Sequence, residues 1–291
     1  VQRSRIKKDN EWKIIQSTRI KKGGQWKLVG SDFERIEFNI TSNTANFNLG
    51  NELTSLGFSL YDKPKHVNIN IADNVYVYSA NSTPALDTSL LTGSQGVTHK
   101  VKVLLNSGSH IVGNGGSAGQ TGYGHNDGMT GTAGGDGGDA ILLRDGVDLF
   151  IESYGTIAGG GGGGGAGGNI INNANPDHGN PLGVGGKGAG WHSTGLVAEN
   201  SSQTNGTNDT KKYFTHGGNG GLLGQLGIAA GGFLNPPRTE TNPGTNYAQY
   251  ARSGNGGLPG SAIKGYDASR VTFINSTEGS VWGDSAFKFK A

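Results

Sequence analysis

The chain has no cysteine in its 291 residues. That removes a disulfide framework and any thiolate-held metal site. Proline is scarce, with 8 residues, and glycine does not fall at every third position, so a collagen triple helix is excluded. No apolar stretch approaches the roughly 20 residues that a membrane-spanning helix needs. Apolar residues make up 33% of the chain, too few for an ordinary packed core along its whole length. No segment carries a convincing amphipathic-helix pattern. The sequence opens at Val1 without a signal-like apolar region and is read as an excised or processed piece of a longer polypeptide.

What the chain does have is glycine: 55 residues, of which 48 lie in 108–291. They cluster as GNGGSAGQTGYG (113–124), GMTGTAGGDGGDA (128–140), AGGGGGGGAGG (158–168), GVGGKGAG (183–190), GGNGGLLGQLG (217–227) and GNGGLPG (254–260). Glycine gives up the most backbone freedom on ordering, so an unbroken run needs a compensating architecture. Polyglycine II, like polyproline II, has three residues per turn and no internal hydrogen bonds. Its amides must be satisfied by neighbouring chains, and only residues without a Cβ let backbones come that close. GGNGG and GGDGG leave one side chain per turn, as on an outer segment. The run around Gly161, Gly162, Gly163 and Gly164 leaves none, as at the centre of a lattice. A disordered spacer would favour Gly with Ser, whereas here Ile111, Val112, Ile141, Leu142, Leu143, Ile157, Ile228 and Ile263 stand beside the runs.

The first thirty residues are a repeat: SRIKKDNEWKII (4–15) and TRIKKGGQWKLV (18–29) match at an offset of fourteen. Asp9-Asn10 and Gly23-Gly24 sit where two-residue hairpin turns belong. The expectation is two β-hairpins with Ile and Trp on one face and Lys on the other. Nine Lys/Arg against two acids give this stretch +7, leaving −5 for the remainder. The lysines are read as solvated strand positions, and no nucleic-acid partner is expected. Residues 31–107 read as a β module, because FERIEFNI, HVNINI, VYVY and KVKVLL alternate apolar and polar positions. VLLNSGSHIVGNGG, LFIESYGTIAGGGG and VTFINSTEGSVWGD share a further pattern, read as short strands or turns that pin the glycine runs. The fold class expected is therefore all-β modules over 1–30 and 31–107, then a polyglycine II lattice with long surface loops over 108–291, with essentially no α-helix.

Chemical motifs are few. GGDGGDAIL (134–142) fits one turn of a calcium β-roll, but such sites need tandem turns, so no metal is assigned to Asp136 and Asp139. GVGGKG lacks the spacing and the Ser/Thr of a phosphate loop. The histidines show no metal-ligand spacing, and no carboxylate pair or Ser/His/Asp set can be assembled. Neither an enzyme activity nor a cofactor is expected. The long segments between glycine runs instead place aromatics among Asn, Thr, Ser, Gly and Pro, the composition of antibody paratopes. The contact residues expected there are Tyr123, His125, Asn126, Trp191, His192, Tyr213, Phe214, Phe233, Arg238, Tyr247 and Tyr250. Function gathers on loops held by a rigid scaffold. Trp191 and Phe233, beside glycine runs, are read equally as caps on the lattice ends.

GSHIVGNGG, GTIAGGGGGGGAGG, GGDGGDAI and VNINIADNVYVY resemble the glycine-rich distal adhesins of tailed bacteriophages. These include the tip adhesin of T-even-type long tail fibres and the C-terminal region of lambda-like central tail fibres. The resemblance covers roughly 65–291. It implies a polyglycine II lattice whose intervening loops bind an outer-membrane protein of the host bacterium, at the distal end of a virion tail fibre. The RIKK…W hairpins lie outside the resemblance and suit a shaft-to-tip segment joined to other fibre chains. T-even adhesins are single subunits and central fibres are trimers; a homotrimer is expected here. A glycan-binding or glycan-cleaving tail protein is the alternative reading, and it would need carboxylates set among aromatics in a groove.

Overall fold

A computed structural model describes residues 33–58, 64–88, 98–120, 131–167, 184–191, 196, 198–200, 218–225, 227–228, 254–265 and 268–276, together with the backbone of strands in 5–29, 203–216 and 281–282. Near the amino terminus, β1 (Arg5–Lys8) pairs antiparallel with β2 (Glu11–Ile14), and β3 (Thr18–Lys22) with β4 (Gln25–Val29). The register corrects one expectation. Ile6 stands opposite Lys13 and Lys7 opposite Trp12; Ile20 stands opposite Lys27 and Lys21 opposite Trp26. Directly opposed residues share a face, so Ile and Trp occupy alternate faces, each beside lysine.

From residue 34 the alternating runs become rungs of a three-sided parallel coil. The first rung is β5 (Glu34–Ile40), β6 (Thr44–Ala45) and β7 (Phe47–Asn48). The second is β8 (Lys65–Ile71), β9 (Tyr76–Tyr78) and β10 (Leu86–Asp87), and the third is β11 (His99–Leu105), β12 (His110–Val112) and β13 (Ile141–Leu142). The fourth comprises β14 (Val147–Ser153), β15 (Thr156–Ala158) and, much later, β18 (Ile263–Lys264); β19 (Val271–Ser276) and β20 (Val281–Trp282) open a fifth. Corresponding strands stack into sheets ordered β19-β14-β11-β8-β5, β20-β15-β12-β9-β6 and β18-β13-β10-β7, every pairing parallel. All three sheets thus draw strands from both sides of residue 107.

In-register stacking puts like beside like inside the coil. Ile36, Val67, Val101, Leu149 and Val271 form one aliphatic column. Val77, Ile111 and Ile157 form a second, and Phe47, Leu86, Ile141 and Ile263 a third. All of these are buried. The single α-helix among the described residues, α1 (Leu49–Ser55), follows the first rung. The Asn48 side chain accepts the Asn51 N–H at its start, and Leu49 and Leu53 are fully buried. It is a small departure from a helix-free chain.

The connection from the second sheet to the third lengthens rung by rung. It is Asn46 alone in the first, 79–85 in the second, 113–140 in the third and 159–262 in the fourth. The two long connections hold the glycine runs, which lie side by side and bond through their main chains. From the 159–166 run, Gly160, Gly163 and Ala166 donate to Gly138, Gly135 and Thr132; Gly161 and Gly164 donate to Ala189 and Gly186; Gly162 and Gly165 donate to Gln225 and Ile228. Its carbonyls accept from 113–119, 218–224 and 254–260, again at every third residue. The six surrounding segments close a ring through Gly135→Ser117, Gly134→Asn255, Gly227→Gly257, Ile228→Asn219, Gly186→Gly218 and Gly188→Gly116 N–H···O bonds. At the periphery side chains replace the missing neighbour: Asp136 accepts the Leu258 N–H at 2.8 Å and Asp139 the Ser261 N–H at 3.0 Å. These two acids are therefore engaged with backbone.

Candidate functional site

The hydrogen-bond register also gives each glycine segment a direction. At the coil end Gly113 bonds to Ala158, Gly160 to Gly138, Gly161 to Ala189, Gly224 to Gly159 and Gly260 to Gly160. At the far end Gly119, Thr132, Gly185, Gly218, Ile228 and Gly254 all gather around Gly164–Ala166 or the residues bonded to it. Outside the bundle, between the two ends, Glu199 accepts from Gly220 and donates to Lys187. The chain therefore enters and leaves 121–130, 168–183 and 229–253, and leaves 201–217, at one end of the bundle, the end away from the coil.

Most of the expected contact residues belong to those segments. Tyr123, His125, Asn126, Phe233, Arg238, Tyr247 and Tyr250 lie outside the described residues, as does His192. Tyr213 and Phe214 lie in β17 (Lys211–His216), which pairs antiparallel with β16 (Gln203–Asn208); Asn205 faces Phe214 and Gly206 faces Tyr213. What reads in sequence as one irregular loop, 191–216, thus contains a hairpin closed at Asn208 and Lys211. Gly161, Gly162, Gly163 and Gly164 each donate one hydrogen bond and accept one or more within the bundle.

Trp191 is set apart. It ends the 184–190 segment at the coil and packs on outward side chains of the second sheet, 4.2 Å from the Tyr76 ring and 5.1 Å from that of Tyr78. His110 also stacks on Tyr76, at 4.6 Å. Burial lowers the His110 pKa from its usual value, and its Nδ1 has no partner among the described residues. Tyr76, Tyr78 and His110 were not singled out in sequence. The signal was present, because alternation in VYVY puts the tyrosines on the face opposite Val75 and Val77. A second surface is exposed on neighbouring glycine segments: Leu222, Ile228 and Leu258 are 54%, 57% and 60% exposed, so Ile228, read in sequence as an anchor beside its run, faces solvent instead. Such isolated aliphatics are unremarkable on an ordinary surface, but here they are among the few side chains the bundle carries.

No group of metal-ligating side chains occurs among the described residues. No helix there is long and apolar enough to cross a membrane. The bundle is thus held together by main-chain hydrogen bonds, and the chain departs into its connecting segments at the end away from the coil.

No curated protein matches the chain. Among solved structures it is similar to the gp37-gp38 adhesin tip complex of the bacteriophage S16 long tail fibre, with 22% sequence identity, a TM-score of 0.45, and coverage of 86% of this chain and 82% of that one. The family profile of the phage tail fibre adhesin Gp38 matches residues 35–286. Because that match runs from the first strand of the coil to beyond the last, the chain belongs to the phage tail fibre adhesin Gp38 family and is a tail-fibre protein of the virion that serves host recognition.

Proposed function

We propose that this adhesin forms the distal tip of its fibre. It grips a host outer-membrane protein with segments 121–130, 168–183, 201–217 and 229–253, without catalysis. In this reading the glycine segments are polyglycine II helices, which rise about 3.1 Å per residue and bond sideways at every third residue. The 108–291 region is the receptor-binding part, 31–107 its coil support, and the 1–30 hairpins face other chains of the fibre. The observation that carries the proposal is the common end at which the four segments join the bundle.

Tyrosine-rich, amide-rich segments supply large contact area at low ordering cost, and the bundle fixes their roots. Replacing 203–216 by a short Gly-Asn turn removes β16 and β17 and leaves the bundle's hydrogen bonds in place. The expected outcome is loss of adsorption to host cells with an unchanged melting temperature. Unchanged adsorption would remove the hairpin from the site. Adsorption to host strains lacking single outer-membrane proteins tests the receptor class: no strain should bind like wild type once the cognate protein is absent, and retained binding in every deletion strain contradicts a protein receptor.

A further inference from the structure

The third sheet carries an open series of donors at β18. In each rung the apolar residue that enters this sheet donates its N–H to an alanine of the next rung: Phe47 to Ala85, Leu86 to Ala140 and Ile141 to Ala262. Flanking residues do the same, Ala85 to Asp139 and Thr88 to Leu142, then Ala140 to Ser261 and Leu143 to Lys264. The next donors in the series are Ala262, Ile263 and Gly265. β18 is the edge of its sheet, so none of the three meets a following rung among the described residues. Ala262 and Ile263 are nonetheless buried. A buried main-chain amide needs an acceptor, and a bare sheet edge invites another strand. The edge is also sensitively placed, because β18 has only two residues and is where the 159–262 connection returns to the coil.

The sequence supplies a matching acceptor strand. Three strands of this sheet follow a fully buried alanine: Ala85-Leu86-Asp87, Ala140-Ile141-Leu142 and Ala262-Ile263-Lys264. In each, the alanine is followed by a buried aliphatic residue and then by a less buried one. Beyond β20, Ala286-Phe287-Lys288 repeats that order, and Ser285 precedes it as Ser261 precedes Ala262. The motif also comes at the right point of the chain. β20 holds the second-sheet position of the fifth rung, and the third sheet follows the second in every earlier rung. In that register the carbonyls of Ser285, Ala286 and Lys288 fall to the amides of Ala262, Ile263 and Gly265. Phe287 extends the column of Phe47, Leu86, Ile141 and Ile263. Lys288 comes beside Lys264, whose charge Asp139 already meets at 2.9 Å; that ion pair relieves the like-charge contact that would oppose the pairing.

We infer that residues 285–288 add a fifth strand to the third sheet, a clasp that holds the bundle's returning end from the side opposite β13. The chain has no cysteine, which makes a disulfide an unambiguous probe. Neighbouring strands lie about 4.8 Å apart, within the Cα separation that a disulfide accepts. The full chain carrying Lys264→Cys and Lys288→Cys should therefore close an intramolecular bond under mild oxidation, read by peptide mapping without reduction. Lys264→Cys with Phe289→Cys, whose second site falls on the opposite face, should close it about tenfold more slowly or worse. Hydrogen exchange gives a measurement that needs no new bond. The Ala262, Ile263 and Gly265 amides should be protected, and Phe287→Asp should speed their exchange by about tenfold or more while leaving Gly160–Ala166 unchanged. Free exchange at those three amides in the unsubstituted chain, or absence of the intramolecular bond, overturns the inference. So does protection that Phe287→Asp leaves intact, or a disulfide-linked dimer, either of which would give the edge to a second copy or to another fibre chain.

Discussion

At Gly162 a methyl group has nowhere to go. A Cβ built there falls onto the carbonyl of Gly257 and within 2.9 Å of the Gly227 N–H nitrogen, all main chain that further bonds hold in place. Gly162→Ala should therefore destabilise the fold by about 3 kcal/mol or more, as overpacking at a site that cannot relax. Gly57 supplies the comparison: its φ of +77° favours glycine, yet a Cβ there meets open space, so Gly57→Ala should cost only about 1 kcal/mol. Thermal melts of the two proteins read the difference, and equal losses would mean that the bundle yields. Inside the coil, Lys65 is fully buried with its Nζ 2.8 Å from Glu34, while His99 accepts the Lys65 N–H at 3.1 Å. Burial first, then the Lys65 charge, lower the His99 pKa below its ordinary 6.5. The unfolded chain therefore takes up the proton first, and stability falls as pH drops from about 6.5 towards the lower folded value. His66 and His110 shift the same way. Melting temperature should decline from pH 7.5 to pH 5, and His99→Gln should flatten the decline; a rise on acidification contradicts the assignment.

Among the elements, the strands were legible and their partnership was not. Alternation in 34–40, 65–71 and 99–105 marks one buried face, but alternation is blind to whether neighbours run parallel, and these do. The recurring stretches VLLNSGSHIVGNGG, LFIESYGTIAGGGG and VTFINSTEGSVWGD are the same corner of the third, fourth and fifth rungs. They were visible as repeats, whereas the coil they belong to required rungs interrupted by up to 159–262 to be recognised as consecutive. The GGDGG spacing announced one side chain per turn; that Asp136 would take the Leu258 N–H depends on a segment 122 residues away. Helix α1 was missed because its seven residues carry one turn of pattern, Leu49 and Leu53. Those two leucines are fully buried, so Leu53→Ala should destabilise the protein by about 2–5 kcal/mol in denaturant unfolding. Hydrogen exchange should in turn find the amides of Gly160–Ala166 among the slowest, since each donates to a neighbouring main chain and opening one requires displacing a surrounding segment.

Over the whole molecule, stability and the recognition proposed for the connecting segments rest on different atoms. The coil is held by aliphatic columns and the bundle by main-chain hydrogen bonds, while the segments read as contacts are attached at the far end. Of the proposed site, composition revealed which segments are rich in aromatics, but their common end emerges only from the bonding register; Trp191, read in sequence equally as a contact and as a cap on a lattice end, stands against Tyr76 and Tyr78 on the coil. The ring of six segments around 159–166 has a mechanical consequence. A load applied between the tethered end and the coil runs along the segments, perpendicular to the bonds that link them. Those bonds are then strained together, in shear, instead of being peeled apart singly as at a zipper's end. A virion tugged by flow while held to a cell would thus pull on many weak links at once, and the attachment can endure traction that no one of them could bear.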